Sequence, residues 1–126
     1  MKTLLVVSAL VVAPSLFAQQ PPSTVDIAAV GRAMVERLDR REYAAIVATF
    51  NPRLQKALSE EKLRLAWEKV QIKAGRLRSV GAPAMKTKNG LRHLVYPAQF
   101  EQRRVDIEVV FNAESQVSGV LFHPKR

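Results

Sequence analysis

The stretch from residue 51 to residue 75 reads NPRLQKALSEEKLRLAWEKVQIKAG and organises the prediction of the fold. Asn51 and Ser59 are residue types that cap helix N-termini, and Pro52 is well accepted at a first helical position. Gly75 is a typical helix stop. The pattern therefore predicts a short helix and then a longer one, whose buried side would carry Leu63, Ala66, Trp67, Val70 and Ala74.

The opposite side of the longer helix is basic. Between Lys62 and Arg92 the chain has nine Lys or Arg residues against one acid, Glu68. Such a field favours acidic partners such as anionic lipid, polysaccharide or nucleic acid, although a charge run is also typical of a solvated face. Four cations at offsets of 7, 4 and 3 residues stack along one stripe, and they are the candidate polyanion contacts: Lys62, Lys69, Lys73 and Arg76.

The N-terminus has the pattern of a secretory signal peptide. Lys2 precedes an apolar run from Leu4 to Ala13, and Ala18 offers a cleavage site. A transmembrane anchor is the alternative, but the run is about half of the ~20 residues that a spanning helix needs. We therefore expect a signal peptide over 1–18, a flexible leader over 19–25 and one domain over 26–124. The location would be the bacterial periplasm or the extracellular medium, with no transmembrane segment in the mature chain.

Two further helices are predicted before residue 51. Apolar residues recur at helical spacing after Asp26, with Ser23 or Thr24 as the capping residue and an end near Arg40. A shorter helix should run over about 42–50. The chain has no Cys, so a disulfide is excluded and the core alone must hold the domain together.

After Gly75 the hydrophobic pattern changes to a period of two residues, which is typical of strands. Asn89-Gly90 is a strong hairpin signal, and it joins a run ending near 88 to one beginning at 91. Two more runs follow, over 105–111 and 116–122. Pro83 suits an edge strand, and Pro97 should introduce a bulge into an inner one. Helices followed by strands predict an α+β fold, with three to four N-terminal helices packed on a curved four-stranded antiparallel meander.

The pattern resembles domain of unknown function 3887 over about residues 27–124. The resemblance rests on Glu42-Tyr43, Phe50-Asn51-Pro52, the run from Leu58 to Leu63, Trp67 and Gly75, and on the closing segments at 109–112 and 117–122. It implies a cone-shaped domain like those of cystatin, nuclear transport factor two and ketosteroid isomerase, in a stand-alone secreted version. Relatives often precede an α/β-hydrolase, but no Gly-x-Ser-x-Gly motif occurs in this sequence, so no hydrolase activity is carried over.

The residues themselves do not form a recognisable catalytic constellation. Asp106 and Glu108 alternate with the apolar face of their strand, so we expect them to point to solvent. His93 should also face outward, and His123 belongs to a polar tail. Zinc sites usually need three or four ligands, and no Gly-rich phosphate loop is present, so no metal and no cofactor are expected.

We therefore predict a non-enzymatic module that binds a small ligand or a protein partner. Tyr43, Trp67 and Tyr96 are the candidate pocket residues. One alternative is an isomerase- or hydrolase-like enzyme that uses the same pocket, and another is binding of a polyanion or of the anionic envelope surface through the basic helix face. A nucleic-acid partner is disfavoured by the signal peptide, and the sheet's outer face could form a homodimer. The predicted core is Leu63, Trp67, Val70, Ile107, Val109 and Phe111.

Overall fold

The computed structural model describes residues 26–125, and it has four helices followed by five antiparallel strands. The predicted signal peptide and leader, residues 1–25, lie outside the described residues. The α+β fold class is confirmed. The helices are α1 Ile27–Asp39, α2 Tyr43–Val47, α3 Pro52–Ala57 and α4 Glu60–Ala74; the strands are β1 Leu77–Val80, β2 Ala84–Lys88, β3 Leu91–Phe100, β4 Arg104–Phe111 and β5 Val117–Pro124.

The helix boundaries follow local capping chemistry. The side chains of Asn51 and Ser59 accept hydrogen bonds from the backbone N–H groups three residues on, as their residue types predict. Gly75 ends α4 with a φ of 88°, a conformation that disfavours any side chain. Asp26 caps α1 by accepting from the Ala29 N–H, so the predicted cap at Ser23 or Thr24, outside the described residues, is not needed.

The second helix is shorter than predicted, since it ends at Val47 and not at Phe50. Phe50 instead forms an isolated bridge with Val117, and the Asn51 N–H donates to the Val117 carbonyl at 2.8 Å. This tertiary hydrogen bond competes with continuation of the helix. It also ties the chain between α2 and α3 to the start of β5.

The sheet has five strands and not four, because the first predicted strand is split. β1 and β2 pair one after the other with the same edge of β3, and β4 and β5 follow on its other side. Val80 pairs with Ala98 and Ala84 pairs with Val95. Three residues, 81–83, therefore lie opposite two residues of β3.

Pro97 explains the position of this split. Its register with Asp106 of β4 is unbroken, so the bulge predicted within β3 lies instead in the neighbouring segment 81–83. The Pro97 carbonyl accepts from the Gly81 N–H at 2.8 Å. In an antiparallel strand, the N–H and C=O of one residue point to the same neighbouring strand. The nitrogen of Pro97, which cannot donate a hydrogen bond, therefore faces this irregular edge too. The edge also holds Pro83, as predicted.

The core lies between the helices and the inner face of the sheet. Five of the six predicted core residues have no exposed surface, namely Leu63, Trp67, Ile107, Val109 and Phe111. The sixth, Val70, is only half-buried, because it lies at the edge of the interface between α4 and the sheet. The ring of Trp67 packs at centroid distances of 5.7 Å from Phe100 and 5.8 Å from Phe122.

The prediction that Asp106 and Glu108 point to solvent is wrong in one respect. Both lie on the outer face of the sheet, opposite the helices, but their side chains are only 9% and 16% exposed. β4 is an inner strand, so side chains from its neighbours cover it. Arg104 and Lys125 pair with Asp106, and His93 is half-buried in contact with Glu108.

Glu108 bridges two histidines across three strands. His93 Nδ1 lies 2.5 Å from one carboxylate oxygen, and His123 Nε2 lies 2.8 Å from the other. His123 thus belongs to β5 and not to a polar tail. Burial opposes ionisation of Glu108, but the hydrogen bonds from the two histidines outweigh it and hold the pKa of the carboxyl below its usual value.

We expect Trp67→Ala to lower the free energy of unfolding by about 3–5 kcal/mol, because it removes a fully buried indole and leaves a cavity. Ile72→Ala on the same helix is the matched control, since that side chain is 82% exposed and its loss should change stability by under about 0.5 kcal/mol. Urea unfolding of both variants measures the difference. Equal midpoints for the two would contradict the anchoring role of Trp67.

We also expect the stability of the protein to fall in acid partly through Glu108. A carboxyl whose pKa is lowered in the folded state stabilises the fold above its unfolded pKa, and this stabilisation is lost as pH falls through the folded pKa. Glu108→Gln should therefore reduce stability at neutral pH and flatten its decline in acid. Denaturant unfolding between pH 7 and low pH measures both effects. Glu114→Gln, at an exposed turn residue without an ion pair among the described residues, should leave the profile unchanged.

Candidate functional site

The three aromatic residues predicted to line a pocket lie in the core. Tyr43 is 6% exposed, and Trp67 and Tyr96 have no exposed surface. The Tyr43 hydroxyl and the Trp67 Nε1 are buried and have no hydrogen-bond partner among the described residues. Burial raises the pKa of the Tyr43 hydroxyl. A ligand on the surface of this structure would therefore meet other side chains first.

Tyr96 has a clear structural role. Its hydroxyl donates a 2.6 Å hydrogen bond to the Ala28 carbonyl of α1. A Cβ at Gly31 would lie only 2.9 Å from carbons of the Tyr96 ring, so a glycine at this point allows α1 to approach the sheet closely. Burial raises the pKa of the Tyr96 hydroxyl as well.

An apolar groove lies between α4 and β5. Its volume is about 370 Å³, which lies within the usual range of small-molecule sites, about 300–1,000 Å³. Small side chains on α4 leave this space open opposite the end of the sheet. Its apolar lining consists of Leu58, Ala66, Val70, Ala74, Val105, Val120, Leu121, Phe122 and Pro124.

Three cations complete the lining of the groove. Lys69 and Lys73 come from α4, and Arg103 comes from the loop before β4. All three are exposed residues. No carboxylate lies within ion-pair distance of any of them in the part of the chain that the structure describes. The groove therefore combines an apolar floor with an uncompensated positive rim.

The other two predicted polyanion contacts lie outside the groove. Lys62 is exposed near the N-terminal end of α4. Arg76 follows the helix and lines a separate polar pocket with Asp39, Arg41, Gln71, Gly75 and Glu101. The Glu101 carboxylate accepts the Arg76 backbone N–H at 2.9 Å. Arg76 therefore lines a different pocket from Lys69 and Lys73, so the four predicted cations do not line one site.

The acids of α4 lie on a different side of the helix from its lysines. Arg64 pairs with Glu61 at 2.9 Å and with Glu68 at 3.1 Å. Both partners are one helical turn from Arg64, where side chains of an α-helix meet. Both carboxylates therefore pair with Arg64, and neither pairs with Lys69 or Lys73.

Sequence reasoning did not identify several residues of this region. Val120 and Leu121 reach the groove because β5 lies beside α4, and Arg103 reaches it because the loop before β4 is hydrogen-bonded to the end of α4. No local sequence pattern predicts either contact. Leu65 and Ile72 of α4 are 51% and 82% exposed. A helical projection of α4 could have revealed these two, because they lie seven residues apart and fall on the same side as Lys69.

The described residues include neither a membrane-spanning helix nor a metal-binding cluster. No helix among them has the length and apolar character needed to cross a membrane. Within residues 26–125, no three His, Cys, Asp or Glu side chains are placed to hold a metal ion together.

Comparison with known proteins identifies a family and no characterised relative. No curated protein and no solved structure has a significant match to the chain. The family model described as "Protein of unknown function (DUF3887)" matches residues 32–120. This match extends from α1 into β5 and so covers most of the described fold, including the α4 wall of the groove. The chain belongs to the DUF3887 family.

Proposed function

We propose that this protein is a binding module whose groove takes an amphipathic anion, a molecule with one apolar chain and an acidic head. The observation that carries the proposal is the pairing of an apolar floor with three cations at its rim. An apolar chain gains free energy when it leaves water for such a floor, by about 25 cal/mol per Å² of buried apolar surface. The head would then lie near Lys69, Lys73 and Arg103.

The lining residues favour binding over chemistry. Acid–base catalysis needs a positioned carboxylate, histidine or similar group near the reacting atoms. None of the described residues that line the groove is an acid or a histidine. Asp106 and Glu108, which an isomerase-like mechanism would recruit, lie on the opposite face of the sheet. The isomerase- or hydrolase-like alternative therefore has less support than ligand binding.

We further propose that the protein acts outside the bacterial cytoplasm. The support for this is the sequence before residue 26, where Lys2 precedes the apolar run from Leu4 to Ala13 and Ala18 follows. Amphipathic anions are common components of the bacterial envelope, so this location and the proposed ligand class are compatible. N-terminal sequencing of the exported protein tests the processing site.

The single tryptophan provides a direct test of ligand binding. Trp67 packs on Phe122, which lines the groove. A ligand bound in the groove should therefore change the fluorescence of Trp67. We expect dodecanoate to produce a saturable change and dodecyltrimethylammonium, which has the same chain and the opposite charge, to bind at least about tenfold more weakly. Ala66→Phe, which fills the groove, should abolish the response.

Charge reversal of the rim provides the second arm of this test. Lys69→Glu with Lys73→Glu should weaken dodecanoate binding by about tenfold or more, since each exposed ion pair contributes up to about 1 kcal/mol. Lys62→Glu is the matched control, because Lys62 lies on the same helix but does not line the groove. Unchanged affinity in both Ala66→Phe and the rim variant would overturn the proposal.

A further inference from the structure

The exposed side of α4 carries an unusual combination of side chains. We define the outer stripe of α4 as Lys62, Leu65, Lys69, Ile72 and Lys73. The first four follow one another at spacings of three or four residues, and Lys73 lies four residues after Lys69, so all five lie along one side of the helix. All five are exposed. The two apolar members, Leu65 and Ile72, are 51% and 82% exposed, so they are not part of the core.

We propose that the outer stripe of α4 docks the protein on an anionic lipid bilayer. Leu65 and Ile72 would enter the boundary between headgroups and acyl chains, and the three lysines would contact acidic headgroups. Lysine stems can lie along apolar surface while the ammonium group stays in the polar layer. A surface helix that combines leucine or isoleucine with lysine is typical of proteins that bind at this interface.

The three lysines give the stripe a positive charge that complements an anionic membrane. Within residues 26–125 no ion pair involves Lys62, Lys69 or Lys73. The acids Glu61 and Glu68 lie one helical turn from Leu65, but both pair with Arg64 and not with these lysines. Each lysine near an anionic membrane strengthens binding by about fivefold.

The two exposed apolar side chains distinguish a bilayer from a soluble anionic polymer. A polysaccharide or another polyanion would be bound by the cations alone and would offer Leu65 and Ile72 no apolar environment. Single exposed apolar residues are common on protein surfaces. Two of them seven residues apart, with a lysine between them at position 69 and others on either side, form a continuous amphipathic strip.

The outer stripe and the groove are adjacent, because Lys69 and Lys73 belong to both. Docking through the stripe would therefore place the rim of the groove at the lipid headgroups. A membrane-derived amphipath could then pass between bilayer and groove without crossing water. This last step rests on the proposed ligand-binding function, whereas the docking itself does not.

Vesicle flotation tests the docking. The protein should float with vesicles of phosphatidylglycerol and phosphatidylethanolamine, should not float with phosphatidylcholine vesicles, and should be released by high salt. Leu65→Gln with Ile72→Gln should lower the bound fraction by about tenfold, yet leave retention on a dextran sulfate column unchanged. Lys69→Gln with Lys73→Gln should lower both.

Matched controls lie on β2, whose residues are all exposed. Met85→Gln replaces another exposed apolar side chain, 59% exposed, and Lys86→Gln with Lys88→Gln removes two exposed cations. Neither control should change flotation. Absence of flotation with anionic vesicles would overturn the proposal, as would equal flotation of the wild type and the Leu65/Ile72 variant, which would indicate polyanion binding by charge alone.

The two proposals fail independently in these experiments. Ala66→Phe fills the groove but leaves the outer stripe intact, so it should float like the wild type while losing the fluorescence response to dodecanoate. The variant with Leu65→Gln and Ile72→Gln should lose flotation and keep the fluorescence response to dodecanoate. If Ala66→Phe abolished flotation, the outer stripe would not be the docking surface.

Discussion

The packing of Trp67 on the inner face of the sheet is the contact on which the rest of this structure depends. The indole is fully buried and touches Phe100 of β3 and Phe122 of β5. It thereby joins α4 to an inner strand and to an edge strand of one sheet. Aromatic side chains of this size dominate core energetics. Once Trp67 is placed, the period of the helix dictates that Lys69 and Ile72 face away from the core.

The groove follows from the sizes of the side chains beside this contact. Ala66, Val70 and Ala74 line the α4 side of the groove, and they do not reach far enough to fill the space in front of Val120 and the end of the sheet. A protein core is normally packed without voids larger than a water molecule. The space of about 370 Å³ lies at the surface and is not a void of this kind, and the proposed ligand binding rests on its apolar walls and positive rim.

Sequence patterns performed best where the controlling interactions are local. Asn51, Ser59 and Gly75 begin and end their helices as their residue types predict, because each acts on the backbone within one turn. The patterns failed where distant strands meet. Glu108 alternates as a solvent-facing residue should, yet His93 and His123 from the neighbouring strands cover it. Its register in β4 is readable from the sequence, whereas its burial depends on which strands flank it.

Periodicity and capping residues record which side of each element is apolar, so the order of the elements, the α+β class, most of the core and the family resemblance are readable from the sequence alone. Only the tertiary structure decided that β5 lies beside α4. That placement creates the groove. The loop before β4, hydrogen-bonded to the end of α4, brings Arg103 to the rim, and the packing of β3 on α1 leaves Tyr96 buried instead of in a pocket. The physical reason is that contacts between residues far apart in the chain depend on strand order and packing distance, which no local pattern of residues encodes.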